Sequence, residues 1–240
     1  MRKNKKYIMA FYTIITLFFS LVLNAQNNQF IRIDYKYSFV MPASMNLQGP
    51  NFMTTTLIDN GQATLLTKYN RAAPNFYYDK IKDVAFYGSG IFSKSFTIKE
   101  DSLSQKFNWQ LCDSTETILG YKCKAAKAYF RGRNYVGFYT DNINFNTAPW
   151  KFVGLPGVTL KVASLDSIYT YVAISLNIYN ENKVIENPHL SKISEAINYI
   201  TFYNLTRKSE KEREAKLNTD EKDGETEYKF KFTLMEIGDK

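Results

Sequence analysis

Arg131 and Arg133 flank a glycine in the run Phe130-Arg131-Gly132-Arg133. Residues two apart in a strand share a face, so both guanidinium forks would stand together, continued by Tyr135. Such a pair could grip a phosphate or carboxylate. An exposed strand with two solvated arginines is the plainer reading of the same residues. Gly132 opens space on the opposite face or marks a bulge. Cys112 and Cys123 are the two cysteines. Their spacing is not Cys-x-x-Cys, and in an oxidising compartment a close pair predicts a structural disulfide rather than a redox couple. Closing that short loop would stabilise the fold by about 3 kcal/mol in the chain-entropy account.

Other chemistries find less support. The single histidine, His189, sits in Asn187-Pro188-His189 and cannot build a multi-histidine metal site. There is no Gly-x-Ser-x-Gly elbow and no phosphate-binding glycine loop. Carboxylates such as Asp113, Glu116 and Asp141 are scattered. Paired acids could hydrolyse glycosides, but nothing in the spacing pairs these. No cofactor and no metal is expected.

Gly154-Leu155-Pro156-Gly157 has a mechanical reading. Proline followed by glycine at the central positions predicts a type II turn. Trp150, Phe152 and Val153 before it, and Val158, Leu160 and Val162 after it, would supply the flanking strands of a rigid hairpin. The sharper reading makes this an interaction turn with Leu155 at an exposed tip.

These residues need elements to hold them, and the chain reads as a series of short strands. Phe30–Val40 alternates apolar or aromatic with polar residues, the period of a half-buried strand. Pro42–Pro50 reads as a loop. Phe52–Ile58 and Ala63–Tyr69 flank Asp59-Asn60-Gly61, a hairpin signal. Pro74–Asp83 is ambiguous, and Phe92–Ile98 and Lys106–Leu111 read as strands. Ile118–Thr140 holds two strand-like runs meeting near Gly132, Phe145–Val162 another pair, and Ser167–Tyr179 alternates again. Ser191–Tyr203 has apolar residues at helical spacing. Arg207–Glu225 carries charges of both signs and reads as a solvated helix end and loop. Glu227–Ile237 alternates as a last strand. Eighteen Tyr and eighteen Phe against eleven Gly and six Pro fit the same β-rich picture.

Residues 1–25 read as a cleavable secretory signal. Arg2, Lys3, Lys5 and Lys6 precede an uncharged run from Tyr7 to Leu23 that ends in Leu23-Asn24-Ala25. That run is diluted by Tyr12, Thr13, Thr16 and Ser20 and is shorter than the roughly 20 residues that span hydrocarbon. The expected product is exported, periplasmic or outer-membrane associated, and not an integral membrane protein once cleaved. The chain is +8 overall; the first 25 residues hold four of its bases and no acid, which leaves +4. Basic residues spread along the chain argue against a nucleic-acid partner.

The central residues together resemble the GLPGLI family of exported Bacteroidota proteins. The resemblance rests on Ile118–Ala126, Phe130-Arg131-Gly132-Arg133, Phe138-Tyr139-Thr140 and Ala148–Gly157, in that order over about 40 residues. Val158-Thr159 stands where the family has Leu-Ile, and Ala148 where it has Gly, which marks a divergent member. The resemblance implies an envelope location and a β-rich fold, with no established activity and no catalytic residues.

The sequence therefore predicts a mainly β fold: an antiparallel meander forming a curved sheet or partly open barrel, with a C-terminal helix and charged loop. Residues 26–186 form the β domain, and 187–240 add the helix, charged loop and final strand. The expected function is non-catalytic binding of a lipid or other small amphiphile, with Arg131, Arg133, Tyr135 and Trp150 as ligand-binding residues. The alternative is an interaction subunit that holds an envelope protein partner through Gly154, Leu155, Pro156 and Gly157. A carboxylate hydrolase is a third, weaker reading.

Overall fold

The computed structural model describes residues 29–40, 52–68 and 76–220. The expected signal segment, the loop at Pro42–Pro50 and the strand at Glu227–Ile237 lie outside the described residues.

Among the described residues, twelve strands form one sheet in the order β12-β6-β5-β4-β3-β2-β1-β11-β10-β9-β8-β7. These are β1 (Gln29–Phe39), β2 (Phe52–Asp59), β3 (Ala63–Lys68), β4 (Phe76–Asp79), β5 (Val84–Ile91), β6 (Lys94–Asp101), β7 (Gln110–Ile118), β8 (Tyr121–Phe130), β9 (Arg133–Thr140), β10 (Val158–Ser164), β11 (Tyr169–Asn180) and β12 (Ile197–Asn198), followed by the helix α1 (Tyr199–Asp220). Among these strands every pairing is antiparallel except that of β12 with β6; outside them Thr147 makes a parallel bridge to Val158. Two meanders, β1–β6 and β7–β11, join where β1 runs beside β11. The two end strands do not pair with each other, so the sheet curves without closing into a barrel.

The strand signals hold where alternation was strong. In β1, Ile31, Ile33, Tyr35 and Tyr37 are buried, as period two demands. The β2–β3 turn forms as its residues require. Gly61 takes φ +83°, and the Asn60 carboxamide accepts from the Gln62 and Ala63 amides. The β7–β8 and β8–β9 turns each place two residues at positive φ: Leu119 with Gly120, and Arg131 with Gly132. That is the tight hairpin whose twist matches the strands.

One core collects side chains from both ends of the sheet: Tyr87 and Ile98 from β5 and β6, Ala128, Phe130 and Tyr135 from β8 and β9. The curved sheet wraps this core. Phe107 and Phe152 fill its middle, with Phe107 stacked on Phe130 at 4.1 Å and Phe152 edge-on to Tyr135 at 4.9 Å. A smaller cluster on the other face packs Ile185 over Phe30, Ala63, Tyr77 and Phe86.

The helix differs from its sequence signal. Leu190–Glu195 is a 3-10 segment, and α1 starts at Tyr199 rather than Ser191. Ala196 is extended, and Ile197–Asn198 pairs with Ile98–Lys99 before the helix begins. The Asn198 side chain accepts from the Thr201 amide at 2.8 Å and caps α1. The helix end expected from Arg207 runs to Asp220, and the loop expected to follow it lies outside the described residues. Phe202 meets Phe96 at 5.8 Å and Arg213 lies over the Phe92 ring, so α1 rests on the β5–β6 hairpin.

Two further expectations change. Phe145–Val153 is not a strand; residues 141–157 form a long connection between β9 and β10. The disulfide is not formed: Cys112 and Cys123 are separate thiols. Register is the reason. Cys112 faces Ala125 and Cys123 faces Glu116, with an irregularity at Cys112–Thr115. Diagonal positions lie about 7–8 Å apart, while a disulfide needs Cα atoms within roughly 7 Å.

Candidate functional site

The connection 141–157 organises two polar regions, one inside the fold and one outside. The inner one is a cluster of charge. Lys151 is 0% exposed and Arg131 7%, and both converge on the buried carboxylate of Glu100. Arg131 Nη2 donates to Glu100 Oε2 at 2.7 Å, and Lys151 Nζ is ion-paired with Oε1. Tyr87 donates its hydroxyl proton to Glu100 at 2.8 Å and accepts from Lys151 at 2.7 Å. The Tyr199 ring, from α1, lies 3.5 Å from the Arg131 guanidinium, a cation–π contact strengthened by burial. Burial alone would raise the Glu100 carboxyl, but the charges of Lys151 and Arg131 and their hydrogen bonds outweigh it and lower it to about 2.

This cluster ties β5 and β6 to the β8–β9 turn, the 141–157 connection and α1. It does not form the expected two-arginine grip. Arg131 is the first central residue of a turn, with φ 45°, so the period-two argument that aligned it with Arg133 does not apply. Arg133 begins β9 and pairs instead with Asp166, its guanidinium 5.2 Å from the Tyr169 ring. Tyr135 is fully buried and donates no face to solvent; Trp150 packs edge-on against Phe152 at 5.2 Å. The four residues expected to bind ligand are thus core and seam residues.

The turn is also built inward. Leu155 is 1% exposed and packs with Ala126, Tyr139 and Trp109, which corrects the expectation of an exposed tip. Trp109 donates its indole N–H to the Val153 carbonyl at 2.9 Å. The Gly157 amide bonds to the Leu155 carbonyl at 3.0 Å, an i to i+2 closure around Pro156 rather than a type II hairpin turn. Gly157 has φ +142°, and a Cβ there would overlap the Thr140 carbonyl oxygen and lie 2.9 Å from its carbon. Only glycine meets both demands. Gly154 and Pro156 face solvent.

They border the outer polar region, a cleft of about 680 Å³ open to solvent, within the size range of ligand sites. Its walls are the Gly154–Gly157 turn, residues 141–146, the β2–β3 turn at Asn60 and Gly61, and Lys80. Asn142, Asn144 and Asn146 are exposed, while Ile143 and Thr147 are buried and Phe145 is half-buried. The charges here are met within the protein. Asp141 pairs with Lys124 at 2.6 Å; Lys80 pairs with Asp59 and donates to the Asn146 carbonyl at 2.6 Å. Among the described residues Asp141 is the one carboxylate that lines the cleft. Among the described residues, no group of three or more His, Cys, Asp or Glu side chains could hold a metal.

Sequence reasoning missed both regions as sites. Glu100 continues the inward positions of Phe96 and Ile98, and Lys151 is a lone charge within Ala148–Val153; a charge in an apolar register is the signal that would have found them. The alternation of Asn142, Asn144 and Asn146 with Ile143, Phe145 and Thr147 was equally visible.

No protein-family model matches the chain, and no curated protein matches it. Among solved structures, PNGF-II in space group P21 superposes with a TM-score of 0.53 at 18% identity, covering 76% of this chain and 34% of that one. PNGF-II in space group C2 gives 0.52 at 17%, covering 76% and 33%. The likeness is one of fold, and the chain spans about a third of the length of these structures. MucB in complex with MucA(peri) superposes at 0.35 with 10% identity, covering 67% and 54%, too distant to bear on the fold.

Proposed function

We propose that this chain is an exported, non-catalytic binding protein of the cell envelope, of GLPGLI type, that holds a protein partner in the cleft beside Gly154–Gly157. The export reading and the family resemblance support the location. The observation that carries the function is the contrast between a filled interior and an open cleft. Phe107, Trp150 and Phe152 occupy the inside of the sheet, where an amphiphile would have to sit. Arg131 and Arg133, its expected anion-binding groups, are engaged by Glu100 and Asp166. The carrier reading therefore loses its chamber and its headgroup site, while the interaction reading gains a surface beside the turn.

The test is photo-crosslinking in the native envelope, with p-benzoylphenylalanine at Asn144 or, as a control, at Lys208 on α1. One discrete protein adduct from Asn144, absent from Lys208 and reduced at least tenfold by Asn142→Ala with Asn146→Ala, is expected. Equal adducts from both positions, or none from Asn144, would remove the cleft as the working surface.

A further inference from the structure

We propose that residues 181–196 form a strap that acid loosens through His189, uncovering the outer face of the β1–β6 meander. The strap leaves β11, which pairs with β1, and reaches β12, which pairs with β6, so it spans the width of that meander. It is lightly held. Between Glu181 and Glu195 the buried side chains are Ile185 and His189. Ile185 packs over Phe30, Ala63, Tyr77 and Phe86. His189 is seated where β5 has no side chain: a Cβ at Gly88 would lie 3.9 Å from its Cε1. The strap's hydrogen bonds, among the described residues, run within it. The His189 amide donates to the Asn187 carboxamide oxygen, and the Leu190 and Lys192 amides donate to the Asn187 and His189 carbonyls. A segment tied down at two side chains opens without the rest of the fold.

The chemistry of the seat suits a neutral ring. His189 Nε2 is buried and has no hydrogen-bond partner among the described residues. Protonation makes both ring nitrogens donors and adds a charge, and a buried cation without a partner is costly. Burial and then the charge of Lys192, on the strap itself, lower the His189 pKa. On β6, Lys99 shares a face with Thr97, the residue opposite Gly88, and is ion-paired with Asp101 at 2.8 Å. On that side β5 carries Phe86, Gly88 and Gly90 and no charge. Glu186 and Glu195 of the strap are exposed. In the opened strap the ring regains its ordinary pKa of about 6.5. Closure is therefore fully favoured above about 6.5 and weakens as pH falls through the lowered closed-state value.

The test is NMR of the full exported chain labelled at isoleucine methyls. The open population is read from relaxation dispersion of the Ile185 methyls, with Ile31 in the core as reference. Between about pH 7.5 and about pH 5 the open population should rise about fivefold or more, reversibly, with Ile31 unchanged. The rise should follow the ring titration of His189, the chain's single histidine. His189→Gln should hold the population constant over the same range. No rise in the wild type, an equal rise in His189→Gln, or a matching change at Ile31 would overturn the inference. If His189→Gln leaves the strap open at both pH values, the wild-type midpoints decide: coincidence of the Ile185 and His189 transitions supports the latch, and separate midpoints overturn it.

Discussion

The inner charge cluster and the outer cleft lie on the same connection, residues 141–157, and use polar groups in opposite ways. Inside, Lys151 and Arg131 are spent on Glu100 and Tyr87, and each removes from water what the other must neutralise. Outside, the charged groups are settled among themselves and neutral carboxamides face solvent. The comparison teaches that the buried Arg131 and Lys151 serve assembly of the fold. The binding surface proposed above lies where polar groups face solvent.

The largest effect should come from breaking the inner region. Glu100→Gln leaves two buried cations with no counter-charge, and the expected loss is about 3–5 kcal/mol, read by urea denaturation. Adding Lys151→Met should recover part of it; no recovery would mean the lysine is not the uncompensated charge. The same residue sets acid behaviour. Glu100 is lowered to about 2 in the folded state, against about 4.3 for an unperturbed Glu. Its stabilisation is therefore fully present above that range and is lost as pH falls from there towards 2. The variant should lack this phase of acid unfolding.

Next come the turn residues. Leu155→Ala removes a fully buried side chain from the Trp109 contact and should cost about 2–5 kcal/mol. An exposed tip would have tolerated it. Gly157→Ala forces positive φ and a backbone overlap and should cost about 1–3 kcal/mol.

How much of this was legible follows from where the physics is local. β1, β11 and the β2–β3 hairpin were readable because alternation and an Asp-Asn-Gly turn act within a few residues. The β8–β9 turn was located, yet the side-chain directions of Arg131 and Arg133 were not, because a positive-φ residue breaks the period-two rule. Leu155 was misplaced for a different reason: its partners, Trp109 and Ala126, lie far away in sequence. The helix start was missed because Ile197 and Asn198 are taken by β6, a long-range pairing that overrides helical spacing.

Smaller effects sharpen the contrast. His189 is largely buried, and desolvation, with Lys192 nearby, lowers its pKa. A lowered histidine contributes stability above about 6.5, lost as pH falls below that value; His189→Gln should flatten the mild dependence in thermal melts. Native alkylation should label Cys112 first and Cys123 only on unfolding, since Cys123 is fully buried and burial raises its thiol pKa. Smallest of all, the change of Asn142, Asn144 and Asn146 to Ala should leave stability within about 0.5 kcal/mol per site while abolishing partner capture.

The most direct test is native mass spectrometry of the protein purified from the envelope, beside its triple asparagine variant. The filled interior predicts that both carry no lipid or other amphiphile. A stoichiometric amphiphile on the wild type that the triple variant retains would place a ligand inside the sheet and contradict the division between a structural interior and a binding cleft.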